Sequence, residues 1–103
     1  MSMAVVLQDE RHQNIGELVC DTEGAMAACL RGYSDKPSCC LRFIDPYGDT
    51  IFNPLQARVL QSEWDGLFSC FCECHAEGLW ETLRSMIVSC SQNPHTYLRF
   101  IGE

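Results

Sequence analysis

Apolar and polar positions alternate with two different periods along this chain, and the changes of period mark its elements. Met3 to Gln8 is apolar and β-branched, which predicts a strand. Asp9 to Asn14 is polar and predicts a turn. Ile15 to Cys20 carries Ile15, Leu18 and Val19, and predicts a second strand that completes a hairpin. Asp21 or Thr22 is placed to cap a helix. In that helix Ala25, Met26, Cys29 and Leu30 recur at helical spacing, and Gly32 suits a left-handed stop. Tyr33 to Pro37 predicts a loop.

The middle of the chain is the most tightly specified stretch. Leu41-Arg-Phe-Ile44 predicts a strand, Asp45 to Asp49 a reversal, and Thr50-Ile-Phe52 a short returning strand. Pro46 presets one turn angle, and Gly48 is expected to take a positive one. Asn53 caps the next helix, and Pro54 opens it where a missing N–H costs nothing. That helix is predicted from Pro54 to about Phe71, with Leu60, Trp64, Leu67, Phe68 and Phe71 as its apolar stripe. Gly66 weakens its middle. Cys72 to Gly78 reads equally as a break or as an interruption of one long helix. Leu79, Leu83, Met86, Ile87 and Cys90 form another stripe, with Trp80 at its edge, and Asn93-Pro94 ends it. His95 to Gly102 predicts a final strand.

The tetrapeptide Leu41-Arg-Phe-Ile44 returns as Leu98-Arg-Phe-Ile101. Alternation along a strand would place Leu and Phe on one face, with Arg and Ile on the other. As neighbouring strands, the two copies would set Arg42 beside Arg99 as a small cationic spot. The architecture that follows is a single α+β domain over 1–103, in the order β-β-α-β-β-α-α-β. A mostly antiparallel sheet of about five strands carries helices on one face.

Composition narrows the function classes. Fourteen acidic residues against seven basic ones give a net charge of −7, and Lys36 is the only lysine. A nucleic-acid partner needs clustered cations, and the sequence has none. Its longest apolar runs fall short of the roughly 20 residues of a membrane span. Met1 to Leu7 lacks a basic leader segment, so a cytoplasmic protein is expected. An acidic surface suits solubility or a basic partner. Eight cysteines are many for 103 residues. The adjacent Cys39-Cys40 and the crowded Cys70, Cys72 and Cys74 do not have the spacing of a disulfide framework. Most are therefore expected to be reduced packing residues.

The run from Cys40 to Asn53, CLRFIDPYGDTIFN, with the ending from His95 to Glu103, resembles a group of small bacterial proteins of unassigned function. The resemblance spans nearly the whole chain: hairpin, short helix, motif, helical pair and final strand. It brings no activity or catalytic residues with it. In size, charge and architecture the chain also resembles bacterial immunity proteins that neutralise toxins. That likeness implies a non-enzymatic binding domain acting on a basic toxin domain. The residues expected at the contact are Asp45, Tyr47 and Asp49 at the turn, with Arg42 and Arg99.

Three other constellations carry chemistry. Cys70, Cys72, Cys74 and His75 offer thiolates and an imidazole for zinc or copper(I), and would make a metal- or redox-responsive thiol protein. On a helix Cys70 and Cys74 share a face and Cys72 points away, so the spacing is poor for a structural zinc site. Cys39 or Cys40 with His95 would supply a thiol and a base if their strands are adjacent. The Asp45 and Asp49 carboxylates could perform acid–base work. Turn chemistry and core packing explain the same residues without any activity. No phosphate loop, Ser/His/Asp pattern or nucleotide fingerprint is present.

Overall fold

The computed structural model describes residues 3–32 and 37–102. Strands β1 (Ala4–Asp9) and β2 (Val19–Cys20) are followed by helix α1 (Ala25–Arg31). A 3-10 turn (Leu41–Phe43) leads to β3 (Asp49–Phe52), then to helices α2 (Pro54–Asp65), α3 (Phe68–Glu73) and α4 (Glu77–Gln92). Strand β4 (Thr96–Ile101) closes the fold. The α+β class is as expected. Among the described residues the sheet has four strands instead of five, in the order β2-β1-β4-β3, and every pair is antiparallel. Most of the loop expected at Tyr33 to Pro37 lies outside the described residues.

Register explains why the helices gather on one face. Val5 is opposite Phe100 and Leu7 opposite Leu98, while Phe52 faces Leu98 from the other side. Directly paired residues point the same way, so this face is continuously apolar. It meets Leu60 and Trp64 of α2, Phe71 of α3, and Leu83 and Ile87 of α4, all with almost no exposure. Phe100 contacts Phe52 edge-on at 5.8 Å and Trp64 at 6.3 Å. The two tryptophans then lock α2 to α4. Trp64 Nε1–H donates to the Trp80 carbonyl, and Trp80 Nε1–H donates to that of Trp64.

The opposite face is tied by polar side chains. Arg99 on β4 donates to Asp49 on β3 and to Gln8 on β1, and the Gln8 amide donates to Asn14. This chain of bonds crosses three strands above the buried Val6.

Several local expectations give way to tertiary context. Leu41 to Ile44 is not a strand, although the same four residues at 98–101 are. The difference lies in who takes the backbone donors. Cys39, Cys40 and Leu41 N–H groups all donate to the Glu63 carboxylate of α2, at 2.6, 2.9 and 3.1 Å. Arg42 N–H donates to Ser38 Oγ. Donors that a ladder would use are thus already taken, and the segment curls. Leu41 and Ile44 are then buried together, while Arg42 and Phe43 face solvent. Likewise Ile15 to Cys20 contributes only the two residues of β2. Ile15 and Leu18 stay half exposed because the loop joins β1 mainly through an isolated bridge from Gln8 to Asn14.

The predicted single helix to Phe71 divides at Gly66, whose N–H bonds back to Glu63 and Trp64 carbonyls in a tightened last turn. The division lets Trp64, Leu67 and Phe71 all enter the core. Gly48 does not take a positive φ, and Gly32 ends α1 in a right-handed conformation. The demanding glycine is Gly102. A Cβ there would come within 2.5 Å of Pro46 backbone atoms. Asn53 does cap α2, reciprocally with Gln56, and Pro54 is its first residue. Asp21 is buried and accepts from Met26 and Ala27 N–H at the start of α1.

Candidate functional site

Two features have a built geometry: an apolar edge beside β3, and a group of three sulfurs between α1 and α3 at the margin of the core.

The edge begins with sheet order. β3 is an outer strand, and Gly102 N–H donates to Gly48 C=O. Bonding positions alternate along an antiparallel pair, so Thr50 and Phe52 exchange bonds with β4. Asp49 and Ile51 therefore turn their N–H and C=O groups outward. Phe43, Ile51, Leu55 and Val59 line a groove along this edge, with Cys39 at its far wall. Tyr47 stands at the turn that leads into β3 and is 73% exposed, so it does not cover the core. Phe43 is 59% and Leu55 68% exposed.

The far wall is held by Glu63. Burial works against its charge, but the three N–H groups of Cys39, Cys40 and Leu41 outweigh that and hold its pKa below the ordinary value. Asp45 is engaged in its own turn, accepting from Tyr47 N–H, and its backbone N–H donates to Thr50 Oγ1. The expected contact residues are thus only partly gathered. Asp45 and Tyr47 share the turn, and Asp49 pairs with Arg99. Arg42 lies in the 3-10 turn, with its guanidinium 4.9 Å from the Phe43 ring centre, and not on a strand beside Arg99. The cationic spot expected from two neighbouring strands therefore has no strand pair to carry it.

The sulfur group joins distant parts of the chain. Cys29 and Cys70 form a disulfide, with Cα atoms 5.8 Å apart. Cys74 is one helical turn beyond Cys70, and the Sγ atoms of all three lie within 4.8 Å of one another. The spacing of Cys70 and Cys74 does bring them to one face. Cys72 and His75 do not join this group, and Cys29 does. A close pair of cysteines at i and i+4 was visible in the sequence. That α1 would supply the third sulfur was not, because it comes from 41 residues away.

His75 instead ends α3. It takes φ 56°, its N–H donates to Cys72 C=O, and Ala76 N–H donates to Phe71 C=O. That is the Schellman arrangement, with histidine where glycine is usual.

Cys29 and Cys70 thus depart from the expected reduced packing cysteines; of the six cysteines outside the disulfide, Cys40 and Cys90 are buried, Cys72 and Cys74 half-buried, and Cys20 and Cys39 exposed. Burial pushes the Cys40 thiol up, with Glu63 and Cys39 adding to it, and burial likewise raises Cys90. Raised thiols are poor nucleophiles. Cys40 donates to the Gln56 carbonyl, and His95 pairs with Glu10 at 3.1 Å. The thiol–imidazole pair considered for Cys39 or Cys40 with His95 is not made. Among the described residues, no helix is long and apolar enough to cross a membrane.

Comparison with family models, curated proteins and solved structures finds no match to this chain.

Proposed function

We propose that this chain is a non-enzymatic protein-binding domain, acting as an immunity protein that inhibits a bacterial toxin by direct contact. The observation that carries the reading is the distribution of exposed apolar side chains. Of the eight large ones among the described residues, four line one groove beside β3, Phe43, Ile51, Leu55 and Val59, and a fifth, Tyr47, is on the turn that leads into that strand. Isolated exposed apolar residues are ordinary, whereas a contiguous patch is characteristic of an interaction surface. Aromatic anchors at its centre are the residue types that dominate binding energy. Outward-facing backbone groups on β3 add the option of pairing with an extended segment of the partner. A net charge of −7 favours a basic partner, which it would attract before contact.

In this reading Phe43, Tyr47 and Leu55 supply the apolar contact, and Asp45 faces the cationic rim of the toxin. The acids of the turn serve recognition and no proton transfer.

The neighbouring genes are read for a toxin-bearing product, and expression of such a product with and without this chain tests the proposal. Protection and a stable complex are expected. Phe43→Ala combined with Leu55→Ala should abolish both while the fold is kept, since neither side chain is buried. Failure to bind or protect would overturn it.

A further inference from the structure

We propose that Cys29, Cys70 and Cys74 form a three-thiolate site for a soft monovalent metal ion, cuprous copper, and that the Cys29–Cys70 disulfide closes it.

The geometry comes first. Cys70 on α3 and Cys74 at its C-terminal cap lie one turn apart, and Cys29 reaches them from α1, bringing three Sγ atoms within 4.8 Å of one another. Once the Cys29–Cys70 bond opens, those two sulfurs move apart and Cys74 draws in for one ion to bond all three, changes that side-chain rotation supplies. The donor set decides the ion. Among the described residues no carboxylate or imidazole joins the three sulfurs, so ions that favour oxygen find nothing to bind. Soft thiolates select copper(I) and zinc. Zinc in a protein site is almost always four-coordinate and would need a ligand from solvent here. Cuprous copper can be satisfied by three. Cys29 is buried and the other two sulfurs are half-buried, so the ion would be reached from the α3 side.

Two of the three ligands are also the two halves of the disulfide. The oxidised protein therefore cannot hold the ion, and the reduced protein can. Opening uses a dithiol reductant. Its two S–H groups become a disulfide, the Cys29–Cys70 bond breaks, and each sulfur leaves as a thiol after taking one electron and one proton. Copper(I) then displaces the three thiol protons to solvent as its bonds to sulfur form. Either way α1 stays tied to α3, once by a covalent bond and once by an ion.

The test is a copper competition. Protein reduced with excess dithiol, then freed of it without air, is titrated against a coloured cuprous chelator. One equivalent of copper should move to the protein, and the oxidised protein should take none. Cys74→Ser removes one ligand and leaves the disulfide pair intact, so its fold is preserved. It should hold copper more weakly by over about tenfold, a loss that even outer-shell partners of metal sites can cause. Cys72→Ser and Cys39→Ser should match the parent. The proposal is overturned if the reduced protein takes no copper, takes zinc alone, or binds equally well as Cys74→Ser. It is equally overturned if Cys39→Ser loses as much.

Discussion

Replacing Glu63 by alanine should detach the segment Cys39–Leu41 from α2, and the size of the effect can be worked from its bonds. The carboxylate accepts three backbone N–H groups. Cys39 is exposed and can turn its N–H to water, whereas Cys40 and Leu41 are buried. Two buried donors without partners cost about 1–3 kcal/mol each. Glu63 itself is only partly buried, so the lower half of the combined range applies, about 3 kcal/mol. With a urea slope near 1.5 kcal/mol/M, the unfolding midpoint should fall by about 2 M. Glu63→Gln keeps one oxygen acceptor but aims an N–H₂ at the remaining donors, and should lose roughly half as much.

The sign with pH follows from the direction of the shift. Glu63 has its pKa lowered in the folded protein, so its charge stabilises fully above the ordinary value of 4.5. That contribution disappears as pH falls through the depressed folded value. The gap between wild type and Glu63→Gln should therefore close on acidification. Urea titrations of both proteins from neutral pH down to about 3 check this. An alanine variant within about 0.5 kcal/mol of wild type would refute the reasoning outright. A gap that stays constant to low pH would mean that packing and not charge holds the segment.

Three further outcomes are expected. Gly102→Ala should destabilise far more than Gly48→Ala in the same urea assay, because a Cβ at 102 meets Pro46 backbone while one at 48 meets the movable end of Asp45. Tyr47→Ala should leave the midpoint within about 0.5 kcal/mol of wild type, as exposed sites do, while partner affinity falls by over about 1 kcal/mol in calorimetry. His75→Gly should stabilise by about 1 kcal/mol, since glycine takes the left-handed conformation without the Cβ clash; a lowered midpoint would show that the His75 side chain contributes something its backbone does not.

Elements set by local periodicity were legible in the sequence. The stripe of α4 and the Asn53-Pro54 helix start depend on residues within a few turns of each other, and both are present, whereas the stripe expected from Leu60 to Phe71 is divided between α2 and α3 and leaves Phe68 exposed. What escaped depends on distant partners. Leu41-Arg-Phe-Ile44 and Leu98-Arg-Phe-Ile101 are identical and take different structures because Glu63 reaches only the first. One signal was available: Leu41 and Ile44 are three apart, a spacing that suits a helical turn as well as a strand. The site divides in the same way. Cys70 and Cys74 could be placed on one face from sequence, but nothing local says that Cys29 meets them.

The position of the last strand has a consequence for how this chain is made. β1 and β4 are the central pair of the sheet, so β1 waits for a partner synthesised about ninety residues later. At about 5–20 residues per second, that wait lasts about 5 to 18 seconds. Until β4 arrives, β1 with its short hairpin and β3 with its helices are separate pieces, each with an open edge toward a missing middle. Apolar residues such as Val5 and Phe52 stay uncovered for the same interval, when a nascent chain is most prone to pair with a neighbour. Deleting the residues of β4 would thus not trim the sheet at its side but split it in two.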